Sequence, residues 1–402
     1  MTLQPFTGRF TQQESIGEDA IAAAVAVLRS GRLHRYNTIG AELSEAALLE
    51  QEFAAYQGRR YCLGCASGGY SIQVALRASG LKAGEPVLTN AFTLAPVPGA
   101  IVGAGGRPVF IETTRDLVID LADLERKAAA GARMLLLSHM RGHLPDMEAV
   151  SAIADRHGLV VFEDCAHTMG ATWAGRKSGN FGLAGCFSTQ TYKHMNSGEG
   201  GLLASDDAEF MARAIVMSGS YMLYERHGAA PDPSVFADIR LDTPNLSARM
   251  DNLRAAILRP QLAVLDGNIE RWNERYQTIE AKLREASALY LPQRPPQERY
   301  VGSSIQFLVP GIGADAARAF VKSCAALGVE LKWFGNEAPV AFTSTHKSWR
   351  YLELQALPVT DGILSELFDM RIPLTFSLKD CEHISTIIVT CLTTLSDRRA
   401  VR

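Results

Sequence analysis

The sequence predicts an α/β fold, with a mainly parallel sheet covered by helices and a smaller α/β domain after it. Short apolar runs alternate with helical patterns in the first half of the chain, an order that produces parallel strands joined by helices. At 402 residues the chain exceeds the size at which one hydrophobic core stops growing, so a second domain is expected. We place a large domain with an N-terminal arm at residues 1–265 and a small domain at residues 266–402.

The first half contains the predicted strands of the large sheet. They are the apolar segments at 61–65, 87–88, 108–111, 134–137 and 159–162. The stretch before them, up to about Gly58, predicts two helices around a loop at 31–40. Further helices are predicted at 71–79 and 147–157, because each pattern is followed by a glycine that can close a helix in the left-handed conformation. Ligands of such sheets gather beyond the carboxyl ends of the strands, where Asp164 is expected.

The second half predicts a long helix followed by a small α/β domain. The helix covers 247–286 and should kink at Pro260, because proline lacks the N–H of the helical hydrogen bond. Its apolar side consists of Met250, Leu253, Ile257, Leu262 and Leu265. Strand-like segments at 304–309 and 329–333, with helical ones at 316–327 and 384–392, predict the small domain.

Composition excludes several classes of protein. The formal net charge of −3 and the pI near 6.3 give no electrostatic reason for binding nucleic acid or acidic membranes. No apolar run approaches the ~18 residues of a bilayer span, and the N-terminus lacks a secretion signal, so we expect no membrane association and a cytoplasmic location. Cys62 and Cys65 form the one C-x-x-C pair and fit a buried strand. Without further ligand spacing, no metal is predicted.

The segment from Val161 to Gly201 contains the most informative residues. Asp164 ends an apolar run, His167 follows three residues later, and Lys193 comes after a strand-like segment at 184–189. Pyridoxal phosphate (PLP) needs an amine to hold its aldehyde and an acid to keep its ring nitrogen protonated. Alone, Lys193 would fit a surface charge and Asp164 a helix cap. Their order and spacing favour a PLP site.

Two glycine-rich turns have alternative interpretations. Ser67, Gly68 and Gly69 stand between a predicted strand and a helix, where they form either a plain tight turn or a cradle whose N–H groups hold a phosphate. The Gly-Glu-Gly-Gly turn at 198–201 is either a simple hairpin turn or part of the same site.

The chain resembles the DegT/StrS family of PLP-dependent sugar and aminocyclitol aminotransferases, from about residue 25 into the small domain. The matching segments are LEQEFAAYQG at 49–58, SGGYSIQVAL at 67–76, GGRPVF at 105–110, SHMRGHLPDM at 138–147, EDCAH at 163–167 and CFSTQTYKHMNSGEGG at 186–201. The last two are the most specific, because the spacing between them also agrees with the family. The resemblance implies the PLP-dependent transferase fold type I, PLP as cofactor, and a homodimer with shared active sites.

The resemblance also implies a role for each matching residue. Lys193 binds the coenzyme covalently and, once freed by substrate, moves the proton between the substrate and the coenzyme. Asp164 pairs with the ring nitrogen, and His167 hydrogen-bonds the ring 3-oxygen. Ser188 reaches the phosphate together with the turn that contains Ser67, Gly68 and Gly69. An asparagine of the other subunit completes the phosphate site in relatives.

Three departures from the family pattern concern cofactor contacts. Gly69 stands where the family has a threonine, which removes one hydroxyl donor. Leu94 occupies the position of the aromatic ring that stacks on the coenzyme, unless Phe92 takes over that contact. The segment before Arg249-Met250 is two residues longer than usual, so either Asn245 or Ser247 has the phosphate role.

The function implied is transfer of an amino group from an amino acid, glutamate or glutamine, to a keto-sugar, cyclitol ketone or related biosynthetic intermediate. A PLP-dependent dehydratase or lyase of the same fold is the alternative, although family dehydratases replace the lysine with histidine and Lys193 is retained here. A PLP-bound regulatory protein is a third possibility, without a DNA-binding motif to support it. The partners expected are therefore a small-molecule donor and a keto acceptor.

The predicted acceptor is a polar cyclic ketone rather than an α-keto acid. Enzymes that serve two α-keto acids hold both carboxylates with an arginine fork. Groups for a hydroxylated ligand are expected from residues 220–226, which include Tyr221 and Tyr224, and from the loop of His34, Arg35, Tyr36 and Asn37. The alternative is that these are ordinary surface residues.

Overall fold

Three sheets and thirteen helices make up the part of the chain that the structure, a computed structural model, describes: residues 3–400. The strands are β1 (Tyr61–Cys65), β2 (Pro86–Asn90), β3 (Arg107–Ile111), β4 (Met134–Ser138), β5 (Val160–Asp164), β6 (Thr172–Trp173), β7 (Arg176–Lys177), β8 (Ala184–Ser188), β9 (Gly201–Ser205), β10 (Glu298–Arg299), β11 (Ser304–Leu308), β12 (Lys332–Trp333) and β13 (Leu367–Arg371).

The helices follow the strands in the alternation that the sequence predicts. They are α1 (Glu18–Ser30), α2 (Glu45–Gln57), α3 (Gly68–Ala78), α4 (Pro96–Gly103), α5 (Leu121–Ala128), α6 (Met147–His157), α7 (Ala208–Ser218), α8 (Phe236–Asp242), α9 (Asn252–Ala263), α10 (Leu265–Leu283), α11 (Ala314–Ala326), α12 (Pro358–Glu366) and α13 (Leu378–Ala400).

The large sheet has seven strands in the order β1-β9-β8-β5-β4-β2-β3. Its neighbours pair in parallel from β3 to β8, and β9 runs antiparallel to both β8 and β1. The predicted α/β fold with a mainly parallel sheet is therefore confirmed. Strand β9 was absent from the sequence prediction, because its five residues follow a glycine-rich turn and show no period of their own.

Both faces of the large sheet are buried against helices. In β4, Leu135 and Leu137 point into the core under α2, α6 and α9, whereas Met134 and Leu136 point into the core under α3, α4 and α7. Successive strand residues face opposite sides, so a run of apolar residues fits a sheet covered on both faces. Burying each such side chain contributes about 1.5–3 kcal/mol.

Helix α6 illustrates how local sequence sets the ends of an element. The Asp146 carboxylate accepts hydrogen bonds from the N–H groups of Glu148 (3.1 Å) and Ala149 (3.0 Å), which caps the N-terminus. Gly158, at φ 64°, closes the C-terminus in the left-handed conformation. This helix lies at the predicted residues and leads directly into β5, whose last residue is Asp164.

The predicted long helix at 247–286 is wrong in two respects: it does not begin at residue 247, and its break does not lie at Pro260. Ser247 has a left-handed φ of 52°, and the first helix, α9, begins only after Asp251, whose carboxylate accepts from the Arg254 N–H. Pro260 lies inside α9, and the chain leaves helical geometry at Val264 (φ −108°, ψ 4°) before α10 begins. The break follows proline by one turn, where the helix has already lost a hydrogen bond.

The C-terminal part contains an antiparallel sheet in the order β11-β13-β12. A third hydrophobic core lies between this sheet and helices α10, α11 and α13, and it includes Phe6 and Phe10 from the N-terminal arm. Strand β13 and helix α12 were not predicted, and the predicted strand at 329–333 is reduced to β12. Helix α10 belongs to two cores, with Trp272 in the first and Tyr276 in the third, so the domain division at residue 265 stays a prediction.

The third sheet is small and connects distant parts of the chain: β10 pairs with the β6–β7 hairpin. Among residues 3–400, no helix has both the length and the apolar character needed to cross a bilayer.

Candidate functional site

A cavity of about 390 Å³ opens beyond the carboxyl ends of β1, β2, β4, β5 and β8. Because these strands are parallel, the residues that follow them meet at one edge of the sheet. Most of the predicted site residues line this cavity: Ser67, Gly68, Gly69, Leu94, His167, Ser188 and Lys193. Asp164 lies beside it, and Asn245 lies elsewhere on the surface.

Lys193 and His167 contact each other in the cavity. The lysine lies in the connection between β8 and β9, and its Nζ is 2.9 Å from His167 Nε2. The Arg141 backbone N–H points at His167 Nδ1 (3.3 Å), which assigns the imidazole proton to Nε2. Nε2 can therefore donate to an uncharged amine, or to a ligand oxygen that replaces it.

The electrostatic setting makes Lys193 easier to deprotonate than an ordinary lysine. Burial lowers the pKa of this lysine to about 8, the Asp164 carboxylate opposes the shift, and Arg141 and Arg371 reinforce it. The pKa of His167 is also held well below its ordinary value, first by burial and then by the charge of Lys193. A neutral amine is the form that attacks an aldehyde, so the site prepares Lys193 as a nucleophile.

Asp164 is held in place by bonds to both carboxylate oxygens. The Ser138 hydroxyl donates to Oδ2 (3.0 Å) and the Ala166 N–H donates to Oδ1 (3.1 Å). Ser138 is itself held by the Thr93 hydroxyl, which donates to Ser138 Oγ at 2.8 Å. Asp164 therefore does not cap a helix, which was the structural alternative. Thr93, three residues after β2, and Ser138, the last residue of β4, were not identified from the sequence.

The Ser67–Gly69 turn forms the start of helix α3. The Ser67 side chain caps the helix by accepting from the Tyr70 N–H (3.1 Å), while the N–H groups of Gly68 and Gly69 have no helical acceptor by geometry. A Cβ on Gly68 would lie 2.7 Å from the Ser188 Cβ, so glycine lets the serine approach the turn. N–H groups, a helix N-terminus and a hydroxyl together fit a phosphate.

The backbone of β9 also approaches this turn. A Cβ on Gly201 would lie 2.4 Å from the Ser67 carbonyl group and 2.6 Å from the Gly68 nitrogen. At Gly69, in contrast, a Cβ would meet only Pro96, at an ordinary 3.6 Å. The glycine-rich turn before β9 is thus part of the wall of the site, and it is longer than a simple hairpin turn because the connection from β8 also contains Lys193.

The Phe92 ring does not reach the position that Leu94 occupies. Phe92 is buried and packs edge-on against Phe334, with ring centroids 5.3 Å apart. Leu94 itself lines the cavity, as do the rings of Tyr192 and Phe342. The suggestion that Phe92 replaces the stacking ring is therefore wrong, and the contact at this position is aliphatic.

Asn245 and Ser247 lie outside the cavity. Both are exposed, and Asn245 Oδ1 accepts from the Ser247 N–H (2.9 Å) and hydroxyl (3.1 Å). The Arg249 guanidinium lies 5.1 Å from the ring centroid of the exposed Tyr221. Within one chain neither residue reaches the predicted phosphate position, so their role stays a prediction about the partner subunit.

Part of the predicted acceptor-binding surface is buried. The Arg35 guanidinium forms two hydrogen bonds with the Glu50 carboxylate, both at 2.8 Å, and the Tyr36 hydroxyl lies 2.7 Å from His227 Nε2. Tyr224 stacks on Phe236 with ring centroids 4.0 Å apart. Arg35, Tyr36 and Tyr224 are therefore unavailable to a ligand, which corrects that prediction. His34, Asn37 and Tyr221 remain exposed.

Two arginines of the cavity wall were missed by the sequence reading. Arg141 follows β4 within the matched segment at 138–147, and Arg371 ends β13. Nothing in the local sequence marks either one, because the pairing of β13 in the small sheet is what brings Arg371 to the cavity.

One buried cluster has the composition of a metal site: His139, Glu163 and Cys165. The Glu163 carboxylate already accepts three backbone N–H groups, from Gly179 (2.8 Å), Phe181 (2.6 Å) and Gly182 (3.0 Å). His139 Nε2 also lies 2.9 Å from Glu163 Oε2. These bonds account for the burial of the carboxylate and fix the loop beneath the site, so the cluster gives no argument for a metal.

Comparison with known proteins agrees with the fold and the site. The chain is 32% identical to the L-glutamine:2-deoxy-scyllo-inosose aminotransferase of Streptomyces paromomycinus over 279 residues, which cover 68% of this chain and 64% of that protein. It is 34% identical to the pleiotropic regulatory protein of Geobacillus stearothermophilus over 231 residues, covering 56% and 57%. The matched segments thus span 57–64% of the length of these curated relatives.

Solved structures extend the likeness to nearly the whole chain. The structure of 3-amino-5-hydroxybenzoic acid synthase superposes with a TM-score of 0.82 at 22% identity, covering 97% of this chain and all of that one, which shows the shared fold. DesV from S. venezuelae, solved in complex with a ketimine intermediate, has a TM-score of 0.77 at 25% identity and covers 92% and 93%.

A family match covers residues 14–389, almost the whole chain. The family and its structural neighbours are PLP-dependent, and their fold confirms the predicted fold type I. The chain belongs to the DegT/DnrJ/EryC1/StrS aminotransferase family.

Proposed function

We propose that this protein is a PLP-dependent aminotransferase that moves an amino group from an amino acid to a sugar-like or cyclitol ketone. The observation that carries the proposal is the contact of Lys193 with His167 in a cavity that also contains the Ser67–Gly69 turn and Ser188. These residues fit PLP. Lys193 provides a nucleophilic amine, Asp164 provides a carboxylate near enough to affect the pKa of that amine, and the turn at 67–69 provides a phosphate cradle.

PLP, when bound, withdraws electrons from the substrate carbon that exchanges its amino group and its proton. In this proposal the Asp164 carboxylate, held by the Ser138 hydroxyl, would stabilise the protonated ring nitrogen of PLP by its negative charge. With its proton on Nε2, His167 would donate to an oxygen of the ring. Lys193, with its pKa lowered to about 8, accepts and returns the proton near neutral pH.

Glutamate or glutamine is the proposed donor. The support is that a relative is named an L-glutamine:2-deoxy-scyllo-inosose aminotransferase, whose name gives both a glutamine donor and an inosose acceptor. Lys193 also favours transamination over the dehydratase alternative, because its amine can deliver a proton to the substrate carbon.

A homodimer is part of the proposal. Asn245 and Ser247 are exposed and lie outside the cavity of their own chain, as expected for groups that complete the site of a partner. Two-fold dimers with a self-complementary interface are also the commonest oligomers.

The first test is covalent labelling of the loaded enzyme. Borohydride reduction should attach the pyridoxyl group to Lys193, and mass spectrometry of a digest identifies the labelled residue. Lys193→Ala should lose both label and turnover, whereas Lys177→Ala should keep both. Lys177 is a suitable control because it is part-buried, with its Nζ 3.3 Å from the Tyr56 ring centroid, and lies outside the cavity. A label on another lysine would contradict the assignment.

The second test addresses the substrates. The enzyme is loaded with pyridoxamine phosphate and offered keto-sugars, inosose-like ketones and α-keto acids in parallel. Return of the aldehyde form, followed by its absorbance, should be fastest with the cyclic ketones. Fastest return with pyruvate would show that the proposed acceptor class is wrong, and release of ammonia or water without transfer would favour the lyase alternative.

A further inference from the structure

The cavity has an excess of positive charge that the proposed cofactor contacts do not use. Its lining contains three cations, Arg141, Lys193 and Arg371, and one anion, the exposed Glu199. Lys193 is accounted for by its contact with His167. The two arginines come from the turn after β4 and the end of β13, whereas the phosphate cradle comes from α3 and β8.

Arg141 is buried but incompletely bonded. Only 7% of it is exposed, and it has a left-handed φ of 57°, a conformation that a side chain other than glycine rarely adopts. Its Nη2 is 2.8 Å from Asp369 Oδ2, yet neither Nη2 nor Nε makes a hydrogen bond of good geometry among the described residues. Asp369 is also shared with Gln306 (2.8 Å) and Lys332 (4.0 Å). One carboxylate thus serves several groups.

Arg371 has no carboxylate within ion-pair distance among the described residues. Its guanidinium stacks on Tyr192, 3.8 Å from the ring centroid. Burial and then the neighbouring charge of Arg141 lower the pKa of Arg371, and the same two arginines lower the pKa of Lys193. Two guanidinium groups that repel each other in a partly desolvated cavity are stabilised by a bound anion.

We infer that Arg141 and Arg371 form a subsite that binds a carboxylate of the substrate. A planar guanidinium matches a carboxylate through two parallel hydrogen bonds, and stacking on Tyr192 fixes the orientation of Arg371 for that contact. The inference rests on the proposed function, because it assigns one group of the same substrates. It leaves the proposed cyclic ketone in place and adds a carboxylate contact to one of the two substrates.

Two sources of the carboxylate remain distinguishable. In one, it is the α-carboxylate of the amino donor. In the other, it is a carboxylate on the cyclic acceptor.

Arg371 is the residue to change. Replacing Arg141 would disturb folding, because Arg141 is paired with Asp369 and lies in a strained turn. Arg284→Gln is the control, because Arg284 is half-exposed and pairs with Glu280 on the surface of α10.

The experiment measures binding of glutarate, a dicarboxylate without an amino group, to the PLP-loaded enzyme by calorimetry. Arg371→Gln should weaken glutarate binding about 10- to 100-fold, Arg371→Lys should restore part of it, and Arg284→Gln should change nothing. Equal affinity of the wild type and Arg371→Gln for glutarate would overturn the inference. A third outcome is that Arg371→Gln loses glutarate binding while the wild type transfers no amino group from any donor. That outcome would overturn the proposed function and leave the subsite intact.

Kinetics of the half-reactions then identify the source. If Arg371 binds the donor, Arg371→Gln should raise KM for glutamine but not for 4-aminobutanamide, which lacks the α-carboxylate. If it binds the acceptor, the variant should raise KM for 3-oxocyclohexanecarboxylate but not for 3-hydroxycyclohexanone. A variant with unchanged KM for all four compounds would contradict both sources and with them the subsite.

Discussion

Lys193 experiences opposing electrostatic influences, and their balance makes its reaction with PLP depend on pH. Burial and two arginines lower its pKa to about 8, so the amine loses its proton as pH rises through that value. Capture of added PLP by cofactor-free protein should therefore accelerate about tenfold from pH 7 to pH 9. Stopped-flow absorbance measures this rate. A free lysine derivative, whose amine has the ordinary pKa of 10.5, should accelerate about 100-fold over the same interval and serves as the comparison.

A matched variant separates the arginines from burial. Arg371→Gln removes one positive neighbour of Lys193 and should move the midpoint of the pH profile upwards, while Arg284→Gln should leave it in place. A wild-type midpoint near the ordinary lysine value of 10.5 would contradict the electrostatic account of the site.

Asp164 allows a second prediction at the residue scale. Asp164→Asn keeps the size of the side chain. Its amide oxygen can accept from the Ala166 N–H while its NH2 group donates to the Ser138 hydroxyl oxygen, so the midpoint of thermal unfolding should change little. The neutral amide cannot stabilise a charged ring nitrogen, and the half-reaction with the amino donor should slow by about 100-fold or more. Ser138→Ala is the control, because it removes one support but keeps the charge. Near wild-type rates in Asp164→Asn would exclude a catalytic role.

At the scale of elements, the close approach of β9 to the start of α3 determines which glycines the site requires. Gly201→Ala would place a Cβ 2.4 Å from the Ser67 carbonyl group, so it should destabilise the protein by about 1–3 kcal/mol and weaken PLP binding. Gly69→Ala adds the same methyl group at 3.6 Å from Pro96 and should alter the free energy of unfolding by less than about 1 kcal/mol. Denaturant unfolding and PLP titration measure both effects. Equal behaviour of the two variants would contradict the packing argument.

Local patterns predicted those elements whose ends are set by neighbouring residues. Helix α6 is an example, since Asp146 and Gly158 determine its limits, and the position of Asp164 at the end of β5 follows from it. The elements that were missed depend on distant partners. Strand β13 pairs with β11 and β12 far away in the chain, so neither the strand nor the place of Arg371 in the cavity could be read from its five residues.

The same distinction applies to the candidate site. Lys193, His167 and Ser188 were recognised because they lie in short segments with specific spacing. Thr93 follows β2 and Ser138 ends β4. Both position Asp164, and their contact exists only once β2 and β4 pair in the sheet. The burial of Arg35 was likewise invisible, because its partners Glu50 and His227 lie on separate elements.

At the scale of the whole molecule, the N-terminal arm connects the two ends of the chain. Phe6 and Phe10 pack around Phe376 with ring centroids 4.9–5.0 Å from it, in the core of the C-terminal sheet. Helix α10 also belongs to two cores. The two halves are therefore joined by an arm and a helix, so the proposed domains share packing and are not separated by a flexible linker.

The exposed segment at Asn245 leads to a prediction about the assembly. If Asn245 completes the site of the partner, Asn245→Asp should weaken PLP binding by placing a negative charge near the phosphate, although this residue lies outside the cavity of its own chain. At limiting PLP, Asn245→Asp homodimers should therefore have little turnover, and Lys193→Ala homodimers should have none. Co-refolding equal amounts of the two variants should restore about a quarter of wild-type turnover, because half of the dimers are mixed and each mixed dimer contains one intact site.

Ser247→Ala, tested in the same way, decides whether Asn245 or Ser247 completes the site of the partner. Sedimentation at the assay concentration checks that dimers form. An active monomer, or mixtures no more active than their components, would show that each chain completes its own site.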